Sequence, residues 1–187
     1  MIVLYSNELF GNSFPNLKSL APLILMLEKF TLSIFSSLLL KHYPRKTLLL
    51  KGLFFLSVSL FGLFLAFLSG DKHYPSTTIT LILICLGVYM LAFVLAVAPV
   101  SWAYVPEIVQ PSMVTVCTLV NWLLGTCIVL VFPVIRERSE NKNCPFAFLF
   151  FSLMSGIELV LCWRWMVEST GKSELEIREE YNSLHLC

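Results

Sequence analysis

GLFFLSVSLFGLFLAFLSG, Gly52 to Gly70, contains no charged side chain. A hydrocarbon slab of about 30 Å is crossed by about 20 helical residues rising about 1.5 Å each, so this run is long enough for one crossing. It is apolar on every side. It has neither the period-two alternation of a lipid-facing barrel strand nor the one-sided stripe of a surface helix in a soluble domain. The run reads as a membrane helix, and the rest of the chain is read outward from it.

Upstream, a second run covers about Leu20 to Leu40 and is interrupted by Glu28 and Lys29. Downstream come about Thr78 to Pro106, about Ser112 to Ile135, and about Pro145 to Met166 with Glu158 inside it. The connectors carry the expected breakers: KHYPRKTLLLK, GDKHYPS, the Pro111-Ser112 turn and ERSENKNCP. Residues 1–19 are too short and too polar for a complete crossing. After Met166 the composition turns polar, and Ser173 followed by Glu176 forms a capping box that starts a short surface helix through SELEIREEY. The expected fold class is all-α and integral to the membrane, with five transmembrane helices and an N-terminal half-helix. Residues 20–167 are expected to form a five-helix bundle and 168–187 a tail, with residues 1–19 preceding the first span.

Composition agrees with this reading. Of 187 residues, 57% are hydrophobic and 13% charged, where a soluble domain carries roughly 25% charged. A formal charge of +1, with basic residues not interleaved with aromatics, sets nucleic-acid binding aside. Cys85, Cys117, Cys127 and Cys162 lie inside apolar runs, and neither a CxxC pair nor Cys with His at ligand spacing occurs, so no metal site and no cofactor is expected. No catalytic triad, phosphate loop or HExxH helix appears, which argues against an enzyme. The N-terminus lacks a basic stretch and a small-residue cleavage pattern, so no cleaved leader is expected. Lys41, Arg45, Lys46 and Lys51 make the first connector the most basic, which places it, and by alternation the C-terminal tail, in the cytoplasm.

A few residues carry chemistry. Pro99 removes an amide donor and is expected to open its helix, which a membrane tolerates only where the freed carbonyl finds a partner or lines a cavity. Trp102, three residues on, offers a flat indole face for stacking and an N–H donor. Asn121, next to Trp122, both donates and accepts. By the residues alone, Trp102 and Trp122 read rather as interfacial or core aromatics and Asn121 as interhelical glue. Lys29 in mid-span costs on the order of 3 kcal/mol on insertion scales, so it is expected to face a cavity or to pair with Glu28 or Glu158.

Three stretches in order and spacing resemble the sugar-porter family of the major facilitator superfamily, over nearly the whole chain. APVSWAYVPEIV, Ala98 to Val109, resembles the family's Gly-Pro-x-Pro-Trp … Glu signature in its tenth helix. Asn121-Trp122 falls where the eleventh helix carries its Asn-Trp pair, and VESTGKSELEIREEY, Val167 to Tyr181, is similar to the Pro-Glu-Thr-Lys-Gly-Arg motif after the last span. KHYPRKTLLLKG stands in the place of the basic loop between the eighth and ninth helices.

The resemblance implies the C-terminal six-helix bundle of a carrier that moves a sugar or polyol by alternating access, with residues 1–19 the remnant of the outer end of a preceding helix. Trp102, Asn121, Trp122 and Lys29 would contact substrate. Glu107 with Arg45 and Lys46 would form a latch at the cytoplasmic end; by the residues alone, Arg45 and Lys46 equally serve only to fix topology. The expected location is the plasma membrane, and the expected partners are the lipid bilayer, the solute and an N-terminal half or a full-length carrier. Several positions depart from the family. Lys29 stands for an amide, Val94 for an acid, Gly125 for an Asn, Ala96 and Ala98 for glycines and Ser101 for a proline. The chain also begins after the seventh-helix Gln-Gln … Asn contacts. It is therefore expected not to complete alternating access alone; a non-transporting membrane protein that binds or regulates a carrier is the alternative.

Overall fold

The computed structural model describes residues 21–68, 76–138 and 145–185, and every regular element in them is helical. Helix α1 covers Ala21–His42 and α2 Arg45–Leu68. Helix α3, Ser76–Ala92, passes through a π-turn at Phe93–Val97 into α4, Ala98–Ile108. Helices α5, Pro111–Arg138, and α6, Pro145–Trp165, complete the long elements, and α7 is Glu174–His185. Four runs among the described residues are long and apolar enough to cross a membrane: Arg45–Leu68, Thr80–Ile108, Pro111–Phe132 and Pro145–Trp165. Helix α1, with 22 residues, is the fifth long helix. The expected N-terminal half-helix over 1–19 lies outside the described residues.

Two sequence expectations need correction. The first connector is almost all helix, because α2 begins at Arg45 and only Tyr43 and Pro44 separate it from α1. Pro44 cannot continue α1, but its carbonyl accepts from the Leu48 amide at 3.0 Å and so opens the next helix. The second correction concerns Pro99. It does not break its helix: Thr80 to Ile108 is one unbroken helical run, and the irregularity is the π-turn just upstream. A proline lacks the donor for the carbonyl four residues back and crowds it, and widening the preceding turn relieves both problems.

Lipid tails are as apolar as leucine, so hydrophobicity gives these helices no reason to adhere to one another. Close packing and interhelical hydrogen bonds do that work. Helices α2 and α6 show both. Ser57 Oγ donates to Ser152 O at 3.0 Å while Ser152 Oγ donates to Ser57 O at 2.9 Å, and Ser155 Oγ donates to Leu53 O at 3.4 Å. Leu53 and Leu63 are essentially sealed, at 1% and 0% exposure. Two apolar clusters result. Leu48, Leu49 and Leu53 pack with Ala96, Val100 and Met166 near the Arg45 end, and Leu56, Leu60, Leu63 and Phe67 pack with Cys85 and Phe148 farther along.

Candidate functional site

At the end of the bundle that carries Arg45, the chain leaving α6 forms a strap across three helices. Met166, Val167 and Ser169 are buried. The Tyr104 hydroxyl on α4 donates to Val167 O at 3.0 Å and accepts from Val167 N at 3.2 Å. Glu168 turns its carboxylate onto the start of α2: Oε1 accepts the Arg45 amide at 2.9 Å and Oε2 the Lys46 amide at 3.0 Å. Those amides have no partner within their own helix, and an anion there also meets the positive end of the helix dipole. Thr170 donates to the same carboxylate through its hydroxyl at 2.6 Å and its amide at 3.2 Å. Burial works against the Glu168 charge, but the bonds from Thr170, Lys46 and Arg45 outweigh it and hold the carboxyl below its ordinary range.

The Arg45 side chain joins the same site from the other direction. Its guanidinium makes an ion pair with Glu107 at the end of α4 and donates to Ser169 Oγ at 3.3 Å. Arg45 and Glu107, singled out from the sequence, are thus in contact. Lys46 enters only through its backbone, since its ammonium has no ion-pair partner among the described residues. Glu168 and Tyr104 were missed. Both stand inside the stretches quoted above, but only the fold brings residues 122 and 123 positions apart in sequence into contact. Beyond the strap Gly171, at φ 75°, makes a left-handed turn into α7. The expected capping box forms there, with Glu176 Oε2 accepting the Ser173 amide at 2.7 Å and Ser173 Oγ the Glu176 amide at 3.4 Å.

Trp102 is 55% exposed on α4, and Asn121 and Trp122, the latter 66% exposed, stand on α5. The two helices are joined by Val109 and Gln110 alone. Counted along the helices, Trp102 lies about 10 Å and Asn121 about 16 Å from that turn. The Asn121 amide has no hydrogen-bond partner among the described residues, so its donors and acceptor are unused. Lys29 is exposed on α1 and has no ion-pair partner there either, and neither does Glu158. The expected pairing of Lys29 with Glu28 or Glu158 is therefore not present, since Lys29 points out of the packed face of α1 while Glu158 sits on α6. A cavity of about 490 Å³ separates α5 from the packed core, lined by Leu56, Tyr89, Phe93, Gly125, Phe148 and Glu158 among others. None of Trp102, Asn121, Trp122 or Lys29 lines it.

A family model described as sugar (and other) transporter matches residues 1–181. Hexose transporter 1 of Plasmodium yoelii yoelii is 25% identical over 91% of this chain and 34% of its own length. Sugar transporter ERD6 of Arabidopsis thaliana is 29% identical over 81% of this chain and 31% of its own length. The solved proton:xylose symporter XylE, bound to 6-bromo-6-deoxy-D-glucose, superposes with a TM-score of 0.81 at 19% identity, over 96% of this chain and 38% of that one. The chain thus spans about a third of the length of the curated relatives it matches.

Proposed function

The chain belongs to the sugar (and other) transporter family, within the major facilitator superfamily, and from that premise we propose that it forms one bundle of a membrane carrier for a sugar or polyol. It is an integral, multi-pass membrane protein. The observation that carries the proposal is the family match through residues 1–181, together with Trp102, Asn121 and Trp122 standing exposed on two helices that share one short turn. An exposed indole on one helix and, on the next, an amide with unused hydrogen-bonding capacity suit a ligand with C–H faces and hydroxyl rims. Lys29 adds a cation on a different helix, and Pro99 precedes the stacking tryptophan by three residues.

In this reading the strap end faces the cytoplasm of the plasma membrane. The ion pair of Arg45 and Glu107 is one side of a conformational latch that Glu168 steadies by fixing the helix start from which Arg45 projects. A contact made in one state and broken in another biases alternating access, usually by a few kcal/mol at most. Lys46 contributes its amide to this arrangement and its charge to the rim. The opposite wall of the path is supplied by an N-terminal half or by the rest of a full-length carrier, because rocking one bundle needs a second to rock against.

Uptake of labelled hexoses and polyols into proteoliposomes tests the proposal, with this chain alone, with an N-terminal half supplied in trans, and with a full-length parent. Saturable uptake is expected in the second and third preparations, with Trp102→Ala and Asn121→Ala raising KM. No saturable component in any of them excludes sugar carriage. A second reading, a non-transporting partner that binds or regulates an intact carrier, is favoured by Val94, Gly125 and Lys29, whose side chains cannot do what the family's acid and amides do. Failure to co-purify with an intact carrier, together with no change in that carrier's transport when this chain is added, would count against that second reading.

A further inference from the structure

The π-turn Phe93–Val97 is gripped from two neighbouring helices. Pro99 has no amide, so the carbonyl four residues before it, that of Leu95, loses its α-helical donor. Ser36 on α1, only 2% exposed, supplies one: its Oγ donates to Leu95 O at 3.4 Å, a long reach for a hydroxyl. From α2, Gly52 presses on the same turn so closely that a Cβ there would come within 2.6 Å of Ala96 Cβ and 3.2 Å of Val97 Cγ2. One turn on, Ser101 Oγ donates back to Val97 O at 2.7 Å, a bond that bends helices. Losing the extra residue of the π-turn would rotate α4 by about 100° against α3 and shift it by about 1.5 Å. Trp102, five residues past the turn, would move with it.

We propose that Ser36 is a positioning residue for the α4 segment that carries Trp102: its hydroxyl stands in for the amide that Pro99 lacks. By holding the Leu95 carbonyl it keeps the π-turn in register. Because the bond is long and joins two helices, it can be made and released, so displacement of α1 and rotation of α4 are linked through one contact. The importance of Trp102 to a solute path rests on the carrier reading above; the clasp itself does not.

Hydrogen–deuterium exchange of the peptide spanning Phe93–Trp102, measured on the full chain in lipid nanodiscs, tests the clasp through a double-mutant cycle. Ser36→Ala is expected to speed exchange there about fivefold, as loss of one net hydrogen bond predicts. Pro99→Ala restores an amide for the Leu95 carbonyl, so in that background Ser36→Ala should leave exchange unchanged. The clasp is overturned if Ser36→Ala alone has no effect, or if its acceleration persists beside Pro99→Ala. Should Ser36→Ala fail to fold, recovery of folding by Pro99→Ala supports the clasp and continued failure overturns it. Labelled-sugar uptake by the same variants paired with an N-terminal half or placed in a full-length parent separates the two readings, since an intact cycle with no saturable uptake in either preparation removes the carrier reading alone.

Discussion

The most apolar stretches of helices α2 and α5 are equally apolar, yet 44% of the residues in the first are buried in the protein and none in the second. Their difference shows that apolarity puts a helix into lipid without saying what it will lie against. Small residues and hydroxyls decide that. Helix α2 sets Gly52 against Ala96, and its Ser57 exchanges bonds with Ser152. Helix α5 has Gly125 with nothing within 4 Å of the place a Cβ would take, and its Thr126 hydroxyl is spent locally on Trp122 O at 2.8 Å. In hydrocarbon, where no water squeezes helices together, the cohesive face must be written in such residues.

The largest test of this contrast is steric. Gly52→Val should cost about 3 kcal/mol by overpacking, whereas Gly125→Val should stay within about 0.5 kcal/mol. Reversible unfolding in mixed detergent micelles measures both, and equal losses would break the comparison. Next in size, Glu168→Ala should cost about 1.5 kcal/mol in the same assay, because it strips a charged acceptor from the first amides of α2.

The acid response follows from the same carboxylate. Its folded pKa lies below the unfolded value of roughly 4.3, so its contribution is complete above that value and disappears as pH falls through the folded one. Glu168→Gln should therefore flatten the acid limb of a stability-versus-pH curve between those two values; an unchanged limb would assign the acid loss to other groups. The smallest effect is the double replacement Ser57→Ala with Ser152→Ala, expected to cost about 1 kcal/mol for two interhelical bonds. Thr126→Ala on α5 should cost nothing measurable, and a comparable loss there would mean that local back-bonds bind helices as well as cross-helix ones do.

Much of this architecture was legible because its signals are local. The uncharged run after Gly52 announces a span by itself, and Ser173 with Glu176 announces a helix start three residues apart. The beginning of α2 was hidden because Arg45, Lys46 and Lys51 look like a loop until Glu168 arrives from the far end of the chain to receive the Arg45 and Lys46 amides. Pro99 was visible as an irregularity but not as a π-turn, since the relief depends on Gly52 and Ser36 from two other helices. Of the site, the approach of Arg45 to Glu107 could be anticipated. That Lys29 meets no ion-pair partner among the described residues could not, because whether an intramembrane charge finds a partner depends on which face of its helix is packed.

The Glu168 strap also bears on how such a chain is made. A ribosome delivers α2 to the membrane more than a hundred residues before Glu168 is synthesised, so the first turn of that helix must wait with its amides bare while three further spans are threaded. During that interval the helix start depends on lipid headgroups, water or a chaperone. Shortening the polypeptide after α6 would leave it in that provisional condition, so the first turn of α2 is completed only by the last residues before α7.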